Sequence, residues 1–188
     1  QAVGLEVRVE RDVHEAGGGA ERFALGYINN DTIADIITAD YRANTVTVML
    51  GNSNGSFQPS IHDTCGGAAH DVALGSFDGD AFTDAVVANN GSLALLKGNG
   101  NGTFKTPVYL PVIGTGGDWA VAAGDLNNDT NTDIVASCAN VDSIFVLLGN
   151  GNGTFQTTKG YATGQRPYDV KLAYLNGDNY LDIVVPND

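Results

Sequence analysis

The sequence predicts an all-β array of four-stranded sheets, about four repeats of 49 residues, and three observations carry that reading. Related stretches begin at Gly26, Gly75, Gly124 and Ala173, a step of 49 residues each time. A fixed period in this range marks a propeller, a solenoid or a similar array. Short β-branched and aliphatic runs lie between Gly/Asn clusters, which fits strands and not amphipathic helices. The 25 glycines set against a single methionine suit many strands joined by tight turns.

Taken in order, Leu5–Val13 alternates apolar and charged residues and reads as a strand ahead of the first repeat. Residues 1–16 therefore stand apart from repeats starting near 17, 66, 115 and 164. Strand one is Arg22–Leu25, Asp71–Leu74 and Ala120–Ala123; strand two is Asp35–Thr38, Asp84–Val87, Asp133–Ala136 and Asp182–Val185. Strand three is Thr45–Leu50, Ser92–Leu96 and Ser143–Leu148. A Gly/Asn turn follows at 51–55, 98–102 and 149–153, where both residue types tolerate the positive φ of a tight reversal. Phe57, Phe104 and Phe155 come next and are expected to open strand four as plugs between neighbouring sheets.

The fourth repeat stops after its second strand, so residues 1–188 read as one repeat domain with an incomplete last sheet. An unpaired sheet edge invites another strand. Leu5–Val13 can supply it within one molecule and close a small ring, or between molecules as strand donation that builds a filament. The remaining alternative is a piece of a larger ring.

Between strands one and two each repeat carries oxygen side chains at alternate positions. The third loop is the fullest: Asp125, Asn127 and Asp129, closed by Asp133. Ca²⁺ takes six to eight oxygens from carboxylates, amides and backbone carbonyls, and this spacing can wrap one ion. It is not an EF-hand, which has a Glu at its twelfth position between helices; here that position is Ala136 and strands flank the loop. The alternative is a set of Asx-turns in which the aspartates cap backbone amides without metal.

The acidic loop on a 49-residue four-strand repeat, with the turn Gly-Asn-Gly-Asn-Gly-Thr-Phe at 98–104 and 149–155, resembles the FG-GAP (or VCBS) repeat over residues 17–188. Such repeats form the blades of integrin-α-type β-propellers, and the resemblance implies a β-propeller-type array with Ca²⁺ in its loops. In that family the first, third, fifth and ninth loop residues give side-chain oxygens and the seventh a carbonyl. Carried over, the third loop offers Asp125, Asn127, Asp129, the Asn131 carbonyl and Asp133, and the second offers Asp78, Asp80, the Phe82 carbonyl and Asp84. The first offers Asn29, Asp31, the Ile33 carbonyl and Asp35, and the fourth offers Asn176, Asp178, the Tyr180 carbonyl and Asp182. The first position is Asp only in the third loop; elsewhere it is Tyr27, Ser76 or Tyr174.

The resemblance also implies that loops entering strand one lie opposite the metal loops, on a face that takes ligands. Glu21, His70, Trp119 and Tyr168 occupy one such place. His70, Trp119 and Tyr168, with Arg166, are thus candidates for binding a glycan or a protein, unless they simply cover the ring's mouth.

Charge and composition narrow the function. The net charge of −13 repels nucleic acid. Ten of the 22 acidic residues are loop aspartates, and four divalent ions would add eight positive charges and leave five negative. No run approaches the roughly 18 apolar residues of a membrane helix, so membrane insertion is not expected. Gln1 reads as the start of a processed chain, and Asn30, Asn54, Asn90, Asn101, Asn128 and Asn152 are glycosylation acceptors by pattern. Cys65 and Cys138 could pair in a secreted chain.

His14, His62 and His70 show no triad or metal spacing. Gly51-x-Ser53-x-Gly55 precedes a strand, where a nucleophile elbow needs a helix. The expectation is a secreted, Ca²⁺-binding repeat protein for adhesion or assembly, not an enzyme. Its partners would be a protein, a glycan or copies of itself. The alternative is a lectin-like module or an accessory domain of a secreted enzyme.

Overall fold

Alternating apolar residues and Gly/Asn reversals build antiparallel sheets throughout the computed structural model, which describes residues 19–110 and 119–188. The Leu5–Val13 strand, its pairing with the last sheet, and His14 lie outside the described residues. The first sheet holds β1 (Ala20–Gly26), β2 (Asp35–Asp40), β3 (Thr45–Met49) and β4 (Ile61–Thr64) in sequence order. The second repeats this with β5 (Ala69–Gly75), β6 (Asp84–Asn89), β7 (Ser92–Leu96) and β8 (Val108–Leu110). The third holds β9 (Trp119–Gly124), β10 (Asp133–Cys138), β11 (Ser143–Leu147) and β12 (Lys159–Ala162). A hairpin of β13 (Lys171–Ala173) and β14 (Asp182–Val184) follows. The described residues thus form three complete blades and one two-stranded blade, with no ring closure among them.

The registers repeat as the sequence does. Gly26 faces Asp35, Gly75 faces Asp84, and Gly124 faces Asp133, so each acidic loop leaves and re-enters its sheet at equivalent rungs. Among the described residues the helical content is one 3₁₀ turn, Ala139–Val141. Strand four departs from expectation. Each Phe makes an isolated bridge to the turn glycine (Gly51 with Phe57, Gly98 with Phe104, Gly149 with Phe155), and the strand starts later, at Ile61, Val108 or Lys159. The phenylalanine closes the turn's neck, and pairing resumes only after a short crossing.

The apolar faces bury against one another between blades, not within them. One core joins Ile37, Val46 and Val48 of the first blade to Val72, Val87, Leu96 and Phe104 of the second. The next joins Val86 and Leu95 to Val121, Ile134, Phe145 and Leu147, with Phe155 packed alongside. Phe104 and Phe155 therefore act as the expected inter-sheet plugs. A smaller cluster joins Val135, Ile144 and Val146 to Val170, Leu172 and Ile183. Cys65 lies in the first core and Cys138 in the second, both buried, and no disulfide joins them. Each small sulfhydryl packs as a hydrophobe in a separate inter-sheet layer, and burial pushes both thiols above their usual pKa.

Where strands β1, β5, β9 and β13 converge, charged residues stitch blades together. The Arg22 guanidinium contacts Asp71 at 3.2 Å and Asp169 at 3.5 Å, and donates to the Tyr168 carbonyl at 2.7 Å. Asp71 is buried; it accepts N–H bonds from Val72 (2.9 Å) and from Val121 of the next blade (3.0 Å). Burial raises the Asp71 pKa, against the pull of the Val121 N–H and of Arg22. Removing one member of such a buried set strands its partners. Asp71→Ala should cost about 3 kcal/mol in urea denaturation followed by fluorescence of Trp119, the single tryptophan; a loss below about 1 kcal/mol would show that this clasp is dispensable.

Candidate metal centres

The loop between the first two strands of each blade is held from its far end. Asp35, Asp84 and Asp133, the ninth loop residues, are fully buried. One oxygen of each accepts the N–H of the loop's second residue: Ile28 at 2.7 Å, Phe77 at 2.9 Å, Leu126 at 2.9 Å. The other accepts the N–H of the turn glycine: Gly51 at 2.9 Å, Gly98 at 2.8 Å, Gly149 at 2.7 Å. Only glycine fits there, because a Cβ would collide with the carbonyls of Ala34, Thr83 and Thr132. In the fourth blade that turn is not among the described residues. Asp182 keeps the Leu175 N–H at 2.9 Å, and the Asn176 amide takes the second oxygen at 3.3 Å.

The third and fifth residues form successive Asx-turns. Asn29, Asp78, Asn127 and Asn176 accept from the N–H two residues on, and Asp31, Asp80, Asp129 and Asp178 do the same for Ile33, Phe82, Asn131 and Tyr180. In the third loop both Asp125 oxygens also fold inward, onto the N–H groups of Asp129 (3.2 Å) and Thr130 (2.8 Å). The Asx-turns that the sequence offered as an alternative to metal are therefore present. They do not compete with it, since each carboxylate oxygen keeps a second lone pair.

The oxygen positions suit one hard cation. Ligand atoms of Asp78, Asp80 and Asp84 all lie within 4.8 Å of one another, and two oxygens on opposite sides of a Ca²⁺ ion stand about 4.6–5.2 Å apart. Among the described residues this is the one such carboxylate trio, and it lies in the second loop, not in the third with its longer ligand set. Burial pushes Asp84 above the ordinary carboxylate range, opposed by the Gly98 and Phe77 N–H groups and reinforced by the charges of Asp78 and Asp80. Asp133 is raised for the same reason, with Asp129 and Asp125 adding to it. The exposed Asp129 is lowered, first by the Asn131 N–H and then by Asn127. For Asp78, burial is outweighed by the Asp80 N–H and by Lys97, and the group ends below its usual range.

The expected recognition face is only partly accessible. Trp119 is 1% exposed and stacks on Phe145 at 5.9 Å. His70 is buried, with Nδ1 2.9 Å from Glu21. Neither is a surface ligand residue, because both sit buried on the first strands of their blades. Tyr168 and Arg166 are exposed, and Arg166 pairs with Asp188 at 3.2 Å. All six glycosylation acceptors are exposed, but Asn54, Asn101 and Asn152 spend their amide oxygens on Ser56, Thr103 and Thr154 inside the turns. The sequence reading missed Lys97 and Lys105, which contact Asp78 (3.3 Å) and Asp80 (3.8 Å). Their signal was available, since the other two turns carry Leu and Gln at those places.

The FG-GAP-like repeat profile matches residues 76–136 and 131–185. No curated protein matches the chain. An Agrocybe aegerita lectin that recognises non-reducing terminal N-acetylglucosamine superposes with a TM-score of 0.58 at 20% identity, over 86% of this chain and 45% of its own. BBS1N in complex with ARL6DN superposes at 0.61 and 10% identity, over 93% and 53%; another crystal of that complex gives 0.61, 14%, 92% and 53%. The chain spans about half the length of these structures, and the likeness is one of fold.

The two classes of loop aspartate separate experimentally. In EDTA, Asp133→Ala should still destabilise by about 2–4 kcal/mol in urea denaturation, because two buried N–H groups lose their acceptor. Asp129→Ala should cost far less under the same conditions. Equal losses would remove the distinction between bracket and ligand.

Proposed function

Because this chain belongs to the FG-GAP-like repeat family, we propose that it is a Ca²⁺-stabilised segment of an extracellular β-propeller-type protein that binds partners and does not catalyse a reaction. The loop oxygens carry the reading: side-chain carboxylates and amides at alternate positions, aligned by successive Asx-turns, make an all-oxygen set that selects a hard cation over zinc or copper. The third loop would supply Asp125, Asn127, Asp129, the Asn131 carbonyl and Asp133. The first and fourth would supply the shorter sets around Asp31 and Asp178, with water completing the shell. Bound ions would offset repulsion among carboxylates that the Asx-turns hold close together.

For partners, exposed Tyr168 and Arg166 support a protein or glycan ligand at the mouth where the inner strands converge, since an aromatic beside a cation is a common anchor. The solved relatives of like fold include one that recognises a sugar and one in complex with a protein. Exposure of all six Asn-x-Ser/Thr acceptors fits an extracellular setting.

A second reading, association of copies end to end, draws on the two terminal faces. Phe23 of the first blade is 65% exposed, whereas its counterparts Val72 and Val121 are buried against a preceding blade, and Leu25 is 62% exposed where Leu74 and Ala123 pack against the inter-blade cores. At the other end a groove of 420 Å³ is lined by Ile144, Val146, Leu148, Tyr161 and Ile183. A preceding-blade face and a following-blade face are complementary by repetition.

At a free Ca²⁺ concentration a hundredfold above Kd, one occupied loop adds about 2.7 kcal/mol. Chelation should therefore lower Tm by roughly 5–10 °C per loop in differential scanning calorimetry; an unchanged Tm would defeat the metal assignment. Sedimentation velocity should show association that Phe23→Asp with Leu25→Asp abolishes; a monomer in the unsubstituted protein would exclude self-association.

A further inference from the structure

We propose that in the second blade two lysines take the place of the cation: Lys97 and Lys105 neutralise the loop Ser76–Asp84 from within the chain, which therefore takes up no Ca²⁺. This rests on the calcium reading of the other loops and departs from it at one blade. The two lysines flank the neck of the 98–104 turn, and the Lys105 N–H donates to the Lys97 carbonyl at 2.8 Å. The same rung is Gln58 to Leu50 in the first blade and Gln156 to Leu148 in the third, both at 2.8 Å. On one backbone frame, two neutral side chains have thus been exchanged for two ammonium groups.

The groups opposite have changed with them. Only in this blade is the third loop residue a carboxylate, Asp78; its counterparts are Asn29, Asn127 and Asn176. Lys97 Nζ lies 3.3 Å from Asp78, with the two side chains 25% and 10% exposed, and Lys105 Nζ lies 3.8 Å from Asp80. The third blade's turn covers Lys97, whose Nζ occupies the space a Cβ on Gly153 would need. The Gly153 N–H donates to the Phe77 carbonyl at 2.9 Å and holds that cover down. The first loop position, Asp125 in the third blade, is here Ser76, whose hydroxyl donates to the Asp80 carbonyl at 3.4 Å. A divalent ion entering this loop would have to expel a shielded ammonium or sit beside two positive charges, which the third loop does not have.

The test counts Ca²⁺ per chain by equilibrium dialysis with atomic emission. With Lys97 and Lys105 intact, Asp80→Asn should leave the count unchanged while Asp129→Asn lowers it by one. The double variant Lys97→Leu with Lys105→Gln, which installs the side chains of the other blades, should gain one ion. A loss of one ion in Asp80→Asn overturns the proposal, as does a folded double variant with no gain. If the double variant fails to fold, the Asp80→Asn count decides alone. A wild-type chain that binds no Ca²⁺ defeats the calcium reading by itself; the double variant's gain or lack of gain still decides this one.

Discussion

The buried aspartate at the end of each acidic loop is the interaction on which the rest of the architecture depends. Asp35, Asp84 and Asp133 each join three pieces of chain: their own strand, the start of the loop, and the glycine opening the turn two strands away. A carboxylate buried this fully is costly unless hydrogen bonds repay its lost hydration. Two backbone N–H donors per group supply them, and those donors would otherwise be orphaned at the point where the sheet stops pairing. The geometry leaves no room for a side chain at the facing glycine. One constraint thus fixes the loop, the turn and the spacing between them.

With the loop pinned, its outer residues have little freedom. Consecutive Asx-turns place the third and fifth side chains on the same side, and the ninth residue closes the set from below. The carboxylates come together because the backbone needs them as acceptors, and their mutual repulsion is the consequence. The loop is shaped by its own hydrogen bonds. That explains how one frame accommodates an extra carboxylate in the third blade and a pair of lysines in the second without altering the strands.

Much of this was legible in the sequence. The period placed every acidic loop, and the β-branched runs placed the first three strands of each complete blade to within a residue or two, because burial between blades demands those side chains. Phe104 and Phe155 were legible as plugs, but the start of strand four was not. The crossing after each phenylalanine has no composition that separates it from the strand it precedes. The recognition face failed for a related reason. Trp119 and His70 looked exposed because the residues at their place differ from repeat to repeat, yet that variation reflects different partners in the layers, Phe145 for one and Glu21 for the other. The cysteine pair failed because blades that are neighbours in sequence bury their residues in separate layers. Arg22 and Asp71 were overlooked since their contact links strands a full repeat apart, where no local pattern points.

Variation between repeats therefore carries two different messages, and position decides which. On an inner strand, a changed residue answers to the neighbouring blade: Arg22, Asp71 and Asp169 occupy one repeat position and complete one another across the convergence of the strands. In a loop pinned by its buried aspartate, a changed residue answers to charge alone, since the backbone beneath it is the same in each complete blade. Lys97 and Lys105 belong to the second kind. They alter neither the rung they share nor the glycine between them, only the sign of what faces Asp78 and Asp80. A fold that separates its brackets from its exposed oxygens in this way can change the charge facing one loop while its neighbours remain as they were.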